Sequence, residues 1–151
     1  MTAHSIARVG PDDLDHLLPL MRAYCDLYGV SPSDADLVGM SRALIADPAR
    51  EGVQLIARGD DGRAVGFATV FWTWSTLSAS RIAIMNDLFV AEDARGHGLA
   101  ERLIEVCMRE SAQQGIHRLT WQTALDNGRA QAVYDRIGAV REQWLDYWLD
   151  C

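Results

Sequence analysis

Between Ala94 and Glu105 the chain reads ARGHGLAERLIE. Two glycines and an arginine stand directly before an apolar pattern of helical spacing. The strand-like segment IAIMNDLFV (82–90) lies just upstream. The first turn of a helix carries backbone N–H groups without intrahelical partners and a partial positive charge. Residues without bulk let a ligand approach that backbone closely, so the arrangement suits a phosphate. RGHGLA (95–100) offers several such donors, and the Arg95 side chain offers a second contact. A plain connection between strand and helix has the same spacing, and the residues alone leave both readings open. Two nucleotide motifs are excluded. There is no GxxxxGK[ST] and no lysine to serve one, and GxGxxG fails where Glu101 takes the third glycine position.

The elements that must position this turn follow from periodicity. ARV (7–9) is a short first strand. Leu14, Leu17, Leu18, Met21, Tyr24, Cys25 and Tyr28 recur at helical spacing, with Pro19 expected to kink that helix or split it in two. SPSD caps a second helix over Ala35 to Ala46, with Leu37, Leu44 and Ile45 inward. GVQLIAR (52–58), the turn GDDGR and AVGFATVFWTWST (64–76) form a hairpin, and a further strand covers 82–90. After the glycine turn a helix runs from Leu99 to Gln114 and stops at Gly115. HRLTWQTA (117–124) is a strand, DNGRAQAVYDRIG (126–138) a short helix, and AVREQWLDYWL (139–149) a closing strand. This order gives an α/β fold with a mixed sheet.

Composition narrows the function classes. The chain has 151 residues, 49% hydrophobic and 23% charged, with a net charge of −7. That is globular composition, and no apolar run is long enough for a membrane span. All basic residues are arginines and none cluster in a run, which argues against a nucleic-acid partner. An acidic surface favours cationic small molecules, or serves solubility. Cys25, Cys107 and Cys151 are odd in number and far apart, so neither a disulfide framework nor a zinc site is indicated. With no signal-peptide pattern at the N-terminus, the expectation is a cytoplasmic protein. His4, His16, His97 and His117 share no ligand spacing, and no metal is expected.

DLFVAEDARGHGLAERLIE resembles the central motif of the GNAT superfamily, the acyl-coenzyme A-dependent N-acetyltransferases. Its pattern [Q/R]xxGx[G/A] is met by Arg95, Gly98 and Ala100. NGRAQAVYDRIGA (127–139) is similar to the second family block, at the expected distance. The resemblance runs over roughly residues 50–150. It implies a GNAT-like mixed, mostly antiparallel central sheet flanked by helices, as a single domain over 1–151, with acetyl-CoA as cosubstrate. Backbone amides of Arg95, Gly96, His97, Gly98, Leu99 and Ala100 would hold the coenzyme A pyrophosphate. Leu88, Phe89 and Val90 would pair with the pantetheine arm and polarise the thioester carbonyl, and Asn127 would hydrogen-bond the pantetheine. Tyr134 would act as general acid at the sulfur, whereas spacing alone favours a core aromatic on an amphipathic helix.

A protonated amine must lose a proton before it attacks, and a carboxylate acting through water is the usual solution. Asp87 is the candidate by position. The TxST and Asp-xx-Val segments look nearest to the diamine and polyamine branch, implying a small primary amine as acceptor. Asn86, however, stands where that branch has a glutamate, and it can neither act as base nor pair with an ammonium. Asp26 and Tyr28 on the first helix are candidates for the acceptor pocket, or else a solvated carboxylate and a core ring. The alternatives kept are a protein or peptide N-acetyltransferase and a non-catalytic acyl-CoA-binding domain. Trp72 and Trp74 share a strand face, as do Trp144 and Trp148, a spacing more typical of core than of ligand cages. The C-terminal aromatics are also candidates for a homodimer interface.

Overall fold

The computed structural model describes residues 3–151. β1 (Ser5–Arg8) is followed by a single 3-10 turn (Pro11–Asp13) and by α1 (Leu14–Leu27) and α2 (Asp34–Ala46). β2 (Gly52–Arg58), β3 (Ala64–Ser75) and β4 (Ser80–Val90) come next, then α3 (Leu99–Gln113), β5 (Leu119–Thr120) and α4 (Gly128–Arg136). The five strands lie in sequence order in one sheet. β1 to β4 are antiparallel, and β5 joins β4 in parallel through the α3 crossover. The expected mixed, mostly antiparallel α/β architecture is the one observed.

Side-chain alternation along the strands builds a core on each face of the sheet. Val53, Leu55, Ala68, Val70, Ala83 and Met85 pack with Leu99, Leu103 and Cys107 of α3. Ile56, Phe67 and Phe89 pack with Leu17, Met21 and Cys25 of α1 and Leu37 of α2. Ser33 caps α2 by accepting from Asp36 N at 3.1 Å, as the SPSD signal predicts. Trp72 is buried and its indole N–H donates to Pro48 O at 2.8 Å, whereas Trp74 on the same face is exposed near the strand end.

Two sequence expectations fail, and one of the two alternatives at Pro19 is decided. Pro19 lies inside α1, which is a single helix rather than two. Proline removes a bond to the carbonyl four residues earlier. That residue is Asp15 in the exposed first turn, where an unpaired carbonyl costs little. The strand expected over 117–124 shrinks to Leu119–Thr120, and the one expected over 139–149 does not form. A strand needs a partner ladder, and a two-residue β5 offers the C-terminal segment too little to pair with.

Gly66 on β3 faces Phe89 of β4 so closely that a Cβ there would meet Phe89 O at 2.8 Å. A strand glycine normally gains stability on replacement by alanine; here the sign should reverse. Gly66→Ala is expected to destabilise the protein by about 1–3 kcal/mol through overpacking, measured by urea unfolding. A neutral or stabilising result would mean that the β3–β4 contact is looser than this.

Candidate active site

Along β4 the register of pairing with β3 decides which side chains meet. Met85 pairs with Val70 and Asp87 with Thr69, so Asn86 is an extra residue on β4. One extra residue shifts the two-residue alternation by one place. Ala83 and Met85 therefore face α3, while Asp87 lies on the α1 face with Phe89. A regular strand would have put all four on one side.

Asp87 is only 8% exposed. Burial raises its carboxyl above the ordinary value of 3.8, outweighing the Thr69 hydroxyl, the Asn86 amide and the Tyr24 hydroxyl, which favour the charged form. Asn86 Nδ2 donates to Asp87 Oδ1 at 3.0 Å. The Tyr24 hydroxyl reaches Asn86 O at 3.4 Å. The Tyr24 ring sits edge-on to Phe67 and Phe89 and at 5.0 Å from Tyr28. Burial, and then the neighbouring Asp87 charge, hold Tyr24 protonated well above the usual tyrosine range. On α4, Tyr134 packs edge-on against Trp121 at 5.2 Å. Burial raises its pKa, and Tyr28 adds to the effect. Tyr28 thus packs against Tyr24 and acts on Tyr134 through its charge alone. The carboxylate comes from β4, Tyr24 from α1, Tyr28 from the C-terminal cap of α1 and Tyr134 from α4.

Tyr24 was not among the candidate site residues, because its spacing fits the apolar stripe of α1. The usable signal was its position four residues before Tyr28, which sets the two rings on one helix face. Asp26 between them is exposed and takes no part in these contacts.

Beside this cluster the sheet opens. β4 and β5 pair only at Ala83 with Leu119 and Ile84 with Thr120. From Met85 to Val90 the β4 edge facing away from β3 has no strand partner. Leu88 and Val90 pack toward α3 and Phe89 toward α1. At the end of that edge lies the glycine loop. Gly96 and Gly98 take φ values of 82° and 72°, the left-handed region that glycine tolerates. Gly98 caps α3 without a side chain, and the first helical bond runs from Arg102 N to Gly98 O at 3.2 Å. Among the described residues, the N–H groups from Gly96 to Ala100 have no backbone partner.

Two charged side chains tune this loop. Arg95 turns back so that its Nε donates to Val90 O at 2.9 Å, tying the loop to the strand end. Glu101, in the first turn of α3, would repel an anion. Its hydrogen bond with Arg136 of α4 holds its carboxyl below the ordinary range and offsets its charge. His97 is exposed, and Leu99 is buried beneath the helix start. Asn127 Oδ1 accepts from Ala130 N at 3.2 Å and caps α4, leaving its amide nitrogen for another partner. Among the described residues, no three His, Cys, Asp or Glu side chains gather as a metal-ligand set.

Comparison with known proteins agrees with this geometry. The sequence model of the acetyltransferase (GNAT) family matches residues 20–139. The chain is 33% identical to an uncharacterized N-acetyltransferase, YhfO, of Bacillus subtilis, over 89% of this chain and 88% of that one. It is 31% identical to an aminoglycoside N(6')-acetyltransferase type 1 of Serratia marcescens, over 91% and 92% of the two chains. The crystal structure of a probable acetyltransferase superposes with a TM-score of 0.83 at 28% identity, covering 97% of each chain.

Burial of Asp87 has a thermodynamic consequence. A carboxyl raised in the folded state takes up a proton on folding, so its contribution is fully favourable below the unfolded pKa. That contribution is lost as pH rises through the folded value. Asp87→Asn carries no such charge. It is therefore expected to melt at a higher temperature than the parent at pH 7, with the difference shrinking toward pH 4. Thermal unfolding at both pH values checks this; a variant that melts lower at pH 7 would contradict it.

Proposed function

From the premise that the chain belongs to the acetyltransferase (GNAT) family and is an acyl-CoA-dependent N-acetyltransferase, we propose that its acceptor is a small cationic amine. The acetyl group passes directly from acetyl-CoA to the amine in a ternary complex, within one domain spanning 1–151. The observation that carries this reading is Asp87. It is a buried carboxylate with a raised pKa, beside the open β4 edge, and the groups acting on it are Thr69, Asn86 and Tyr24 rather than a cation. A base poised nearer to neutral pH suits deprotonation of an ammonium, and the net charge of −7 favours a cationic partner.

The remaining residues have the chemistry their roles require. Free N–H groups from Gly96 to Ala100 would hold the pyrophosphate, with Glu101 offset by Arg136. The unpaired β4 backbone at Leu88, Phe89 and Val90 would take the pantetheine as an added strand and offer an N–H to the carbonyl oxygen as charge develops. The Asn127 amide nitrogen would donate to the pantetheine. Asp87 takes the amine proton, with Tyr24 and Asn86 holding the carboxylate. Nitrogen bonds to the acetyl carbon, the carbon–sulfur bond breaks, and Tyr134 gives its proton to the leaving thiolate. The second proton, shed by the acylated nitrogen, returns through water to the Tyr134 phenolate, leaving a neutral amide and the free thiol. Burial keeps that tyrosine protonated at neutral pH. Tyr28 would line the acceptor side.

The similarity to an aminoglycoside acetyltransferase makes aminoglycosides the first acceptors to test. Diamines and polyamines follow, although Asn86 removes one ammonium partner from that branch. Thiol release is expected with small cationic amines; turnover confined to basic peptides would overturn this reading in favour of a peptide acetyltransferase. Tyr134→Phe should lower kcat by about 10²-fold or more, while calorimetric affinity for acetyl-CoA stays within about twofold, less than 0.5 kcal/mol. Undiminished kcat would remove Tyr134 from the mechanism.

The protein is also proposed to work as a homodimer. Residues 140–151 make no backbone hydrogen bond among the described residues, and they carry exposed Val140, Trp144, Leu145, Tyr147, Trp148 and Leu149. An aromatic side chain buries about 150–250 Å². Two such arms together reach the roughly 1,600 Å² of a standard interface. Light scattering is expected to give twice the 16.7 kDa chain mass. The double variant Trp144→Ser, Trp148→Ser is expected to run as a monomer. A monomeric parent would refute the dimer without touching the reaction.

A further inference from the structure

Among the described residues one buried side-chain polar atom has no partner, Oε1 of Gln54 on β2. Gln54 is 3% exposed. Its Nε2 donates to Thr69 Oγ1 at 3.1 Å, and its other polar neighbour is Met21 Sδ at 3.8 Å, a weak acceptor. Leaving an amide oxygen bare in the core is costly, so the chosen amide orientation calls for an explanation. Thr69 supplies one, because it lies directly across from Asp87 in the β3–β4 register.

A threonine hydroxyl has one proton to give. While Gln54 Nε2 donates to Thr69 Oγ1, that proton is free for the ionised Asp87 carboxylate. Once Asp87 is protonated, its O–H can donate to Thr69, and the Thr69 proton then needs an acceptor elsewhere. Gln54 Oε1, with the amide turned over, is that acceptor, and the bare oxygen is the half of the amide used only in the other protonation state.

We propose that Gln54 and Thr69 are positioning residues for Asp87, forming a buried hydrogen-bond relay that reverses direction when Asp87 gains a proton. The proton taken from the amine stops at Asp87. The Thr69 hydroxyl and the Gln54 amide keep their own protons and only rotate. The other groups acting on Asp87 are Asn86 of β4 and Tyr24 of α1, with Tyr28 beyond Tyr24. Asn86 and Tyr24 contact the carboxylate from their own elements, leaving the β3 side to Thr69. The link to catalysis rests on the role given above to Asp87; the relay itself does not.

The test uses the full chain labelled with ¹⁵N-glutamine. The Gln54 side-chain signal, identified by its loss in Gln54→Met, is expected to shift with pH. Its midpoint should match the acid limb of kcat/KM. The shift should vanish in Asp87→Asn and in Thr69→Val and persist in Thr69→Ser. Thr69→Val and Gln54→Met should each move the acid limb to higher pH by roughly half to one unit, since each weakens a donor to the carboxylate. Gln54→Met should add nothing further in a Thr69→Val background. A Gln54 signal that ignores pH, or a Gln54→Met effect that survives in Thr69→Val, overturns the relay. If Thr69→Val does not fold, a pH-dependent Gln54 signal in Thr69→Ser that is lost in Asp87→Asn decides the same point. A relay that titrates while Asp87→Asn keeps the acid limb would leave the relay standing and remove Asp87 as the base.

Discussion

β4 has to satisfy two neighbours that ask for different things, and the rest of the site depends on how it does so. On one side it is a full antiparallel partner of β3, ten residue pairs long with one interruption. On the other it meets β5 at two residues and is then left open. The interruption at Asn86 and the opening lie close together on the strand. One turns a carboxylate from the α3 face to the α1 face, and the other exposes the backbone beside it. A continuous, regular sheet would have had neither the carboxylate on the α1 face nor the open backbone edge.

The cost of this arrangement is visible in the burial of Asp87. A charged carboxylate in an apolar setting is unfavourable unless hydrogen bonds hold it. Asn86, Thr69 and Tyr24 do so only in part, since burial still dominates its ionisation. The same imbalance that weakens the fold brings the group toward the pH at which proton transfer is useful. Burial also holds Tyr24 and Tyr134 protonated, so hydroxyl groups that keep their protons stand on α1 and α4 on either side of Tyr28. The Glu101–Arg136 pair does comparable work at the glycine loop. It keeps a carboxylate in the first turn of α3 from opposing an anion, and it fastens α4 to α3.

Much of this was legible in the residues. The hairpin, the strand at 82–90, the helix after the glycine turn and its stop at Gly115 all follow from periodicity and turn chemistry. The paired glycines marked a turn of bare backbone, and in it Gly96 and Gly98 take the left-handed conformation. The C-terminal segment was misjudged because alternation shows that a strand can form, not that a partner waits for it. Trp144, Leu145, Tyr147, Trp148 and Leu149 flank the charged Asp146 and stay exposed, with no surface among the described residues covering them. Tyr24 was hidden for a related reason: an aromatic at core spacing looks like core until a buried carboxylate is found against its hydroxyl.

The sequence by itself determined the family, the order of elements, the glycine loop and the types of groups available for proton transfer. These rest on local rules, namely side-chain period, backbone freedom and helix-end chemistry, which act over a few neighbours. Tertiary structure decided which groups meet. Only the β3–β4 register makes Asn86 the extra residue and sets Thr69 across from Asp87, and only the β2–β3 register brings Gln54 to Thr69. Register is set by how two distant strands fill the cores on either face, and no short stretch of residues contains that information.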